Sequence, residues 1–398
     1  MTVKTLMIVG GGWEQVSLIK AASARGLRIV LTDSSPTCPG REWADCFYSV
    51  EPRNLPELLT IAEKEHLDGI TADECDYSHY AAAFIAEQLH LPGDGLTPSQ
   101  YTSNKKWMRE RVRDAEVMQP RFFACATLDN ARSAADLIGW PIIVKPLDNR
   151  GAFGVNVVRE ERELERAFLD ALMNAHSREV IVEAFVEGIH ITVDGCVDQV
   201  GVHHNLALAS KKIIPGDKPI ITEVLYPADI TETQAQQVLQ TNIRVIEALC
   251  IKSGLTHSEY IIDDRGRCFL VETANRGGGV LTSALIVPRL SGVDINGLLL
   301  ANALGESFAV EPVDSGSCCV LTFFVFKPGR MREVLGIDKV QLLPGVLHFR
   351  LLVEPGDELI SPRSGAGRHG FAILEAQDKV ALKHLYEKIE NSIEVIYD

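Results

Sequence analysis

A β-hairpin is the feature that most constrains how this chain can fold. Two apolar runs, Tyr260–Ile262 and Cys268–Val271, flank a polar Asp-Asp-Arg-Gly-Arg turn, which is the pattern of two paired strands. If residues 265–266 form the loop, Asp264 faces Arg267 across the turn. Counting outward from the turn then fixes which residues of the two strands lie opposite each other.

The same count brings two acidic residues together. Glu259 lies opposite Glu272 in this register, and like charges on one face are destabilising unless something neutralises them. A hard divalent cation would do so, because Mg²⁺ is usually held by one or two carboxylates together with substrate phosphates. The plain alternative is an edge hairpin with two solvated carboxylates. The Asn-Arg-Gly-Gly-Gly run at 275–279 favours a binding site, because it adds a guanidinium and bare backbone at the same edge.

The composition limits the class of protein. With 398 residues, 46% of them hydrophobic and 23% charged, the chain is long enough for two or three globular domains. No apolar run approaches the roughly 18 residues of a membrane span, and the N-terminus lacks a signal-peptide pattern, so a cytoplasmic location without a membrane partner is expected. A net charge of −15 argues against nucleic acid as a partner. The nine cysteines include no C-x-x-C pair and predict neither a zinc site nor a disulfide framework.

The chain divides into three regions by its patterning. Residues 1–98 alternate strands and helices, which predicts a parallel sheet with right-handed crossovers. Residues 99–310 mix βαβ-like units with hairpins, with a small subdomain at about 120–182. Residues 311–398 are strand-rich and end in a helix at Lys379–Ser392. The predicted fold class is therefore α/β and α+β.

A glycine turn near the N-terminus suggests a dinucleotide fold, but incompletely. Gly10-Gly-Gly-Trp-Glu-Gln15 follows the first strand and Asp33 ends the second, as in domains where glycines approach a pyrophosphate and an acid binds the ribose. Gln15 occupies the third glycine position. This favours a Rossmann-like structural or substrate-binding domain over NAD binding.

Lys145 is a candidate phosphate-binding residue. It ends a strongly apolar strand, where a solvated charge is costly unless a ligand uses it. The following loop contains Gly151 and Gly154, which allow backbone N–H groups to turn toward an anion. Lysine is a natural partner for a phosphate oxygen. An ordinary strand-ending lysine followed by a surface hairpin is the alternative.

Glu183 stands at another junction of strand and loop. It follows the strand Val180–Val182, and Phe185 and Val186 come just after it. Backbone groups here are suited to a purine edge packed on the apolar side chains. A capping glutamate before a turn explains the pattern equally well.

Taken in order along the chain, these elements resemble the ATP-grasp superfamily of carboxylate–amine and carboxylate–thiol ligases. The order is a Rossmann-like domain, Asn104-Lys105-Lys-Trp-Met, Ile-Val-Lys145-Pro, a glycine loop, Glu183 with its hinge, and Glu272-x-x-Asn-Arg-Gly-Gly-Gly. The strand-rich C-terminal region looks like the cap of biotin-carboxylase-like and L-amino-acid-ligase-like members. The resemblance covers nearly the whole chain and rests on the ordered set rather than on one motif.

The resemblance implies that the nucleotide is ATP. Lys105 and Lys145 would contact its phosphates, with Lys145 also catalytic, and Glu183 and the backbone near Val186 would hold adenine. The full expected set is Lys105, Lys145, Arg150, Gly151, Gly154, Glu183, Phe185, Val186 and His190. Within it, Arg150 would supply a charge that the glycine loop otherwise lacks, and His190 stands where the family has a ribose-binding acid.

The resemblance also implies a metal site and a catalytic arginine. Glu259 and Glu272 would bind Mg²⁺ or Mn²⁺, and Arg276 would hold the acyl phosphate or the substrate carboxylate. Ala274 stands where the family usually has the asparagine of Glu-x-Asn-Pro-Arg. Asn275 is therefore the candidate third metal ligand.

The expected activity is ATP- and Mg²⁺-dependent ligation of a small-molecule carboxylate to an amine through an acyl phosphate. Members of the family often form homodimers, so a homodimer is the expected assembly. The alternatives are a purine-biosynthesis-type enzyme with a phosphoribosyl substrate, an NAD-dependent oxidoreductase and a non-catalytic nucleotide-binding protein. Acidic residues near the glycine turn and in the segment at 73–77 suit an amine-bearing substrate better than a phosphate; they are Glu14, Asp73, Glu74 and Asp76.

Overall fold

The first region forms a four-stranded parallel sheet. The computed structural model describes residues 3–149, 151–214, 216 and 218–398. Its first strands are β1 (Thr5–Val9), β2 (Arg28–Asp33), β3 (Cys46–Ser49) and β4 (Gly69–Thr71), in the order β3-β2-β1-β4. The helices between and after them are α1 (Val16–Ala24), α2 (Leu55–Glu65) and α3 (Asp76–Gln88). All five residues of β1 are buried, as a central parallel strand requires. The predicted parallel sheet is confirmed, although β3 was not predicted because it has no long apolar run.

The second sheet is small and antiparallel. It follows α4 (Leu96–Ser103) and α5 (Lys105–Arg111) and has the order β5-β8-β6-β7. Its elements are β5 (Phe122–Cys125), α6 (Leu128–Ile138), β6 (Ile142–Pro146), β7 (Asn156–Val158), α7 (Glu161–Met173) and β8 (Val180–Ala184). Helices α6 and α7 cover one face with a shared apolar core. This unit corresponds to the predicted subdomain at about 120–182.

The third sheet has eight strands in the order β13-β12-β9-β10-β11-β14-β18-β16. Its strands are β9 (Ile189–Val197), β10 (His203–Ile214), β11 (Ile220–Tyr226), β12 (Gly254–Ile262), β13 (Cys268–Ala274), β14 (Cys318–Phe324), β16 (Val346–Leu351) and β18 (Gly370–Ala376). Because β11 pairs with β14, the sheet crosses the proposed boundary at residue 310. The three-region division stays a prediction.

The remaining elements complete the C-terminal half. The helices are α8 (Glu232–Ala248), a π-helical turn (Thr282–Ile286), α9 (Val287–Ser291), α10 (Ile295–Leu304), α11 (Ile337–Gln341) and α12 (Lys379–Ser392). A last small sheet contains β15 (Gly329–Leu335), β17 (Glu358–Leu359) and β19 (Glu394–Tyr397). Across the described ranges, no single helix is long and apolar enough to cross a membrane; one bent pair, the 282–291 segment with α10, meets the length and composition test only jointly.

Helix α10 joins the first sheet to the eight-stranded sheet. Its Leu298 and Leu300 are almost fully buried in one core with Leu6 and Ile8 of β1 and Leu255 of β12. Burial of this apolar surface removes it from water and fixes the two sheets side by side. The loops that follow β1 and β4 therefore lie next to the segment that follows β13.

Candidate active site

The hairpin of β12 and β13 places Glu259 directly opposite Glu272, as predicted. The pairing of the residues between the turn and these two glutamates differs from the prediction. Asp263, not Asp264, faces Arg267, with a hydrogen bond of 3.0 Å from the Asp263 N–H to the Arg267 carbonyl. The register then shifts at a β-bulge, because Val271 has no residue opposite it. The longer turn and the extra residue cancel, so the two carboxylates still meet.

Each of these carboxylates has its own lysine. The Nζ atom of Lys105 lies 3.0 Å from Glu272 Oε2, and that of Lys211 lies 2.5 Å from Glu259 Oε1. Burial alone would raise the pKa of Glu259, but Lys211 and His257 outweigh burial and hold this pKa well below its usual range. The Glu259 carboxylate is thus suited to stay ionised. Two charged oxygen donors on neighbouring strands match what a hard divalent cation requires when phosphates complete its coordination.

Sequence reasoning did not single out Lys211 or the hydrogen-bonded group formed by His257, Asp194 and Tyr226. His257 Nδ1 lies 2.7 Å from Asp194 Oδ1, and the Tyr226 hydroxyl donates to Asp194 Oδ2 at 3.0 Å. His257 Nε2 lies 3.6 Å from Glu259 Oε1. The alternation of His257 and Glu259 along β12 was the available signal, since residues two apart share a face. This network fixes the position of Glu259.

Asn275 does not join the carboxylate pair. Its Nδ2 donates to Asp94 Oδ2 at 2.9 Å, beside a cavity of about 70 Å³ between the first sheet, β12 and α10. The reason is strand alternation, which places Asn275 on the face opposite to Glu272 and Ala274. Among the described residues no group of three or more His, Cys, Asp or Glu side chains is arranged to hold a metal ion. Asn275 as third ligand stays a prediction.

Lys145, Glu183 and Arg109 form a buried charge cluster. Lys145 Nζ lies 2.8 Å from Glu183 Oε2, and Arg109 Nε lies 2.6 Å from Glu183 Oε1. Their exposed fractions are 6%, 3% and 0% for Lys145, Glu183 and Arg109. Burial would raise the pKa of Glu183, but the two cations outweigh burial and lower it to about 2. The Glu183 carboxylate is therefore engaged by protein cations.

Arg109 links this cluster to the hairpin, although sequence reasoning did not single it out. Its two terminal nitrogens donate to the carbonyls of Leu270 and Val271 at 3.0 and 3.1 Å. Val271 is the bulge residue, so the guanidinium satisfies carbonyls at the irregular point of β13. Arg109 thus ties α5, β8 and the carboxylate hairpin together.

The predicted phosphate loop lies against Lys105. The Nζ of Lys105 is 3.0 Å from the carbonyl oxygen of Asn149 as well as from Glu272. Gly151 and Gly154 have φ angles of +65° and +69°, so both adopt the left-handed conformation. Arg150 lies outside the described residues. The loop that begins at 149 and the carboxylate hairpin therefore meet at one lysine.

Gly154→Ala is expected to destabilise the protein by about 1–3 kcal/mol and to weaken ATP binding by about tenfold. A Cβ at this position would lie 2.9 Å from Asn174 Cβ and 3.1 Å from Pro146 Cγ. Gly151→Ala is the matched control, because it has the same φ region but meets only the Phe153 ring at 3.4 Å. Thermal melting and ATP calorimetry measure both effects. Equal losses in the two variants would show that crowding at Gly154 is unimportant.

The predicted adenine segment connects two sheets. Glu183 belongs to β8 of the small sheet and His190 to β9 of the eight-stranded sheet, with half-buried Phe185 and Val186 between them. The Phe185 N–H donates to the Pro141 carbonyl at 3.2 Å. Burial, together with Lys211, lowers the pKa of His190 to about 4, so its imidazole is neutral near pH 7. A neutral imidazole offers a ribose both a hydrogen-bond donor and an acceptor.

Arg276 lies in a fork-to-fork pair with Asp76. Its Nε is 3.0 Å from Asp76 Oδ1, and its second terminal nitrogen is 3.1 Å from Asp76 Oδ2. The pair joins the segment after β13 to the start of α3. Arg276 is thereby held at the junction of the first sheet and the hairpin.

The acidic residues expected to face a substrate amine bind the chain that follows Arg276. The Gly277 N–H donates to Asp73 at 2.8 Å, the Leu281 N–H to Glu74 at 3.0 Å and the Val280 N–H to Glu14 at 2.7 Å. The Ser283 hydroxyl donates to both Asp73 and Glu74. Asp73 and Glu74 are each only 4% exposed. These two carboxylates clamp the glycine segment, which corrects their expected role in substrate binding.

Glu74→Gln is expected to make the free energy of unfolding less sensitive to high pH. Burial, and then the charges of Glu14 and Asp73, raise the pKa of Glu74 well above its usual value. A raised pKa in the folded state means that stability is fully present below about pH 4.5 and is lost as pH rises through the folded-state pKa. We expect the free energy of unfolding of Glu74→Gln to exceed that of the unmodified protein by about 1 kcal/mol or more at pH 8. Urea unfolding at pH 5 and pH 8 measures this, with exposed Glu165→Gln as control; parallel pH profiles would contradict it.

The glycine turn after β1 is closed by its own neighbours. The Gly11 N–H donates to Asp33 Oδ2 at 2.7 Å, and the Ser35 N–H donates to Asp33 Oδ1 at 2.7 Å. A Cβ on Gly11 would lie 2.8 Å from Cys38 Sγ. Asp33 therefore holds the turn instead of a ribose, and the NAD alternative has no support here.

Comparison with known proteins agrees with this geometry. Residues 138–284 match the family model of the ATP-grasp domain, and residues 322–398 match that of the L-amino acid ligase C-terminal domain 2. The crystal structure of an L-amino acid ligase from Bacillus licheniformis has the same fold, with a TM-score of 0.84, 21% identity and full coverage of both chains.

Two curated relatives are similar over part of the chain. A D-alanine–D-alanine ligase from Geotalea uraniireducens is 24% identical over 218 residues, which are 52% of this chain and 66% of that one. A formate-dependent phosphoribosylglycinamide formyltransferase from Prochlorococcus marinus is 27% identical over 197 residues, which are 47% of this chain and 49% of that one. The matched region thus spans about half to two thirds of these relatives.

The fold and the site define an ATP-grasp protein. More particularly, the chain carries an ATP-grasp domain at residues 138–284 and an L-amino acid ligase C-terminal domain 2 at residues 322–398. The predictions of the superfamily, of a mixed α/β and α+β fold and of an ATP-dependent ligase are confirmed.

Proposed function

We propose that this enzyme joins the carboxylate of one small molecule to the amine of another, with an amino acid as the activated substrate. The observation that supports this best is the position of Lys105, whose Nζ is 3.0 Å from both Glu272 and the Asn149 carbonyl. One lysine at the meeting point of a carboxylate pair and a glycine loop suits a Mg²⁺-bound triphosphate. The L-amino acid ligase C-terminal domain supports an amino acid as substrate.

The proposed reaction has two steps. A carboxylate oxygen of the first substrate attacks the γ-phosphorus of ATP, giving an acyl phosphate and ADP. The amine nitrogen of the second substrate then attacks the acyl carbon, the C–O bond to phosphate breaks, and the nitrogen loses a proton as the amide forms. Phosphoryl transfer of this kind depends on positioning and charge neutralisation rather than on covalent chemistry from the protein.

The proposed roles follow from the contacts. Lys145 and Lys105 would hold phosphate oxygens, and Glu259 and Glu272 would hold Mg²⁺ or Mn²⁺, which neutralises charge on the phosphates when bound. Arg276 would stabilise the negative charge that develops at the acyl phosphate. Its pairing with Asp76 keeps the guanidinium in place while leaving one further terminal nitrogen, which now donates to the Gly277 carbonyl at 2.9 Å.

A phosphoribosyl substrate of the purine-biosynthesis type is the second candidate, supported by the similarity to the formyltransferase. Such a substrate needs a cationic phosphate pocket on the first domain. The described loops that border the site there carry the carboxylates of Glu14, Asp73, Glu74 and Asp76, which already bind residues 276–283. Their negative charge would disfavour a phosphate at this position, so amide ligation is favoured.

ADP release with pools of amino acids and of other carboxylic acids tests the proposal. We expect an amino acid pool to stimulate ADP release, and hydroxylamine to trap the acyl phosphate as a hydroxamate. Absence of stimulation by every pool, together with no ATP binding in calorimetry, would refute ligation.

A further inference from the structure

Arg350 is a half-buried arginine that lacks a hydrogen-bond or ion-pair partner in the part of the chain that the structure describes. It belongs to β16 and lies opposite Phe371 of β18. Its guanidinium carbon is 4.9 Å from the centre of the Trp13 ring. The basic residues already assigned to the site each meet a carboxylate; they are Lys105, Lys145, Lys211 and Arg276. The guanidinium N–H groups of Arg350 are therefore available to a ligand.

Trp13 connects Arg350 to the segment that follows Arg276. Trp13 stacks on Phe371 with ring centres 5.3 Å apart, and the next residue, Glu14, accepts the Val280 N–H at 2.7 Å. Trp13, Val280 and Leu281 pack on one apolar cluster that also contains Phe371. The guanidinium thus contacts the Trp13 ring, and the residue after Trp13 binds the segment that follows Arg276.

A histidine nitrogen on the same strand as Arg350 also lacks a hydrogen-bond partner among the described residues. His348, two residues before Arg350 on β16, stacks on Phe371 at 5.3 Å, and its buried Nε2 has no hydrogen bond. Burial and Arg350 lower the pKa of His348, which keeps its imidazole neutral near pH 7. An aromatic wall with an unpaired guanidinium is suited to a molecule that has an anionic end and an apolar part.

We propose that Arg350 binds the free carboxylate of the amine-donating substrate and thereby selects acceptors that carry a carboxylate over those that do not. This inference rests on the proposed ligation. The activated substrate loses its carboxylate charge to acyl phosphate formation near Lys105 and Lys145. The amine donor keeps its carboxylate, which needs a cation that the nucleotide, the metal carboxylates and Asp76 do not already engage. Arg350 is such a cation.

The test separates acceptors that carry a carboxylate from those that do not. Hydroxamate formation with hydroxylamine and ligation of L-amino acids and of the corresponding amino acid amides are measured for the unmodified enzyme, Arg350→Gln and Arg350→Lys. We expect Arg350→Gln to raise the KM for amino acid acceptors by at least about tenfold, equivalent to about 1.4 kcal/mol, while hydroxamate formation stays unchanged. The KM of Arg350→Lys for amino acid acceptors should lie between those of the unmodified enzyme and Arg350→Gln, because lysine keeps the charge but cannot make a bidentate contact with a carboxylate. Exposed Arg332→Gln on β15 is the control.

Each other outcome is informative. Equal effects of Arg350→Gln on hydroxylamine, amides and amino acids would show that Arg350 only supports the Trp13 wall, and unchanged kinetics with every acceptor would overturn the assignment. Hydroxamate formation by the unmodified enzyme establishes ligation independently of Arg350. Its absence with every carboxylic acid refutes the proposed ligation, and the assignment of Arg350 falls with it.

Discussion

Glu183→Ala is expected to destabilise the protein by about 3–5 kcal/mol, the cost of removing one partner from a buried ion pair. The change leaves Arg109 and Lys145 without their shared carboxylate, and their side chains are only 0% and 7% exposed. Arg109 keeps its two carbonyl acceptors, but Lys145 loses the one ion pair that it makes within the described part of the chain. Urea unfolding measures the loss, and ATP calorimetry should show weaker binding because Lys145 is no longer held at the end of β6.

Two further variants and a pH series make this prediction specific. Glu187→Ala changes an exposed carboxylate four residues along the same segment and should have little effect. Glu183→Ala/Lys145→Met removes one of the two stranded charges and should recover part of the stability. Since the folded-state pKa of Glu183 is about 2, against a usual value of 4.5, its contribution is fully present above about pH 4.5 and is lost as pH falls toward 2. The difference between the unmodified protein and Glu183→Ala should narrow over that interval; a constant difference would contradict the ion-pair account.

The hairpin shows how much of a strand pairing the local sequence pattern can predict. The apolar runs predicted two strands, and the opposition of Glu259 and Glu272 is correct. The turn was wrong by one residue, and the bulge at Val271 was not predicted. At the bulge the carbonyls accept hydrogen bonds from Arg109, which lies about 160 residues away in sequence. No pattern within the hairpin contains that information.

The first domain shows a second limit. The alternation of strands and helices before residue 98 follows from apolar runs and turn residues and is correct, although β3 and the start of α4 were not predicted. The acidic residues were assigned to a substrate amine because charge alone does not reveal a partner. In the structure the backbone N–H groups of residues 277–281 supply that partner for Asp73 and Glu74. A buried carboxylate that accepts backbone N–H groups is a feature of tertiary packing, so the sequence showed the charges but not what they bind.

Glu272→Gln and Glu259→Gln are each expected to lower Mg²⁺-dependent turnover by about a hundredfold or more, because a bound metal supplies several kcal/mol of charge stabilisation in phosphoryl transfer. The glutamines keep the side-chain volume and remove the charge that a hard cation needs. Steady-state rates across a Mg²⁺ titration measure the effect. The half-saturating Mg²⁺ concentration should rise in both variants, and melting experiments should show a smaller stabilisation by Mg²⁺ with ADP than in the unmodified enzyme.

The lysine partners allow the metal role to be separated from a purely structural one. If Glu272 served only to position Lys105, Lys105→Met would reproduce the behaviour of Glu272→Gln, including its response to Mg²⁺. We expect instead that Lys105→Met weakens ATP binding and leaves the Mg²⁺ requirement near that of the unmodified enzyme. Asn275→Ala should also change the Mg²⁺ requirement less than either glutamine variant, because its side chain contacts Asp94 on the opposite face of β13. Full Mg²⁺-dependent turnover in Glu272→Gln would mean that the opposed carboxylates are an ordinary hairpin neutralised by two lysines, and that the metal binds elsewhere.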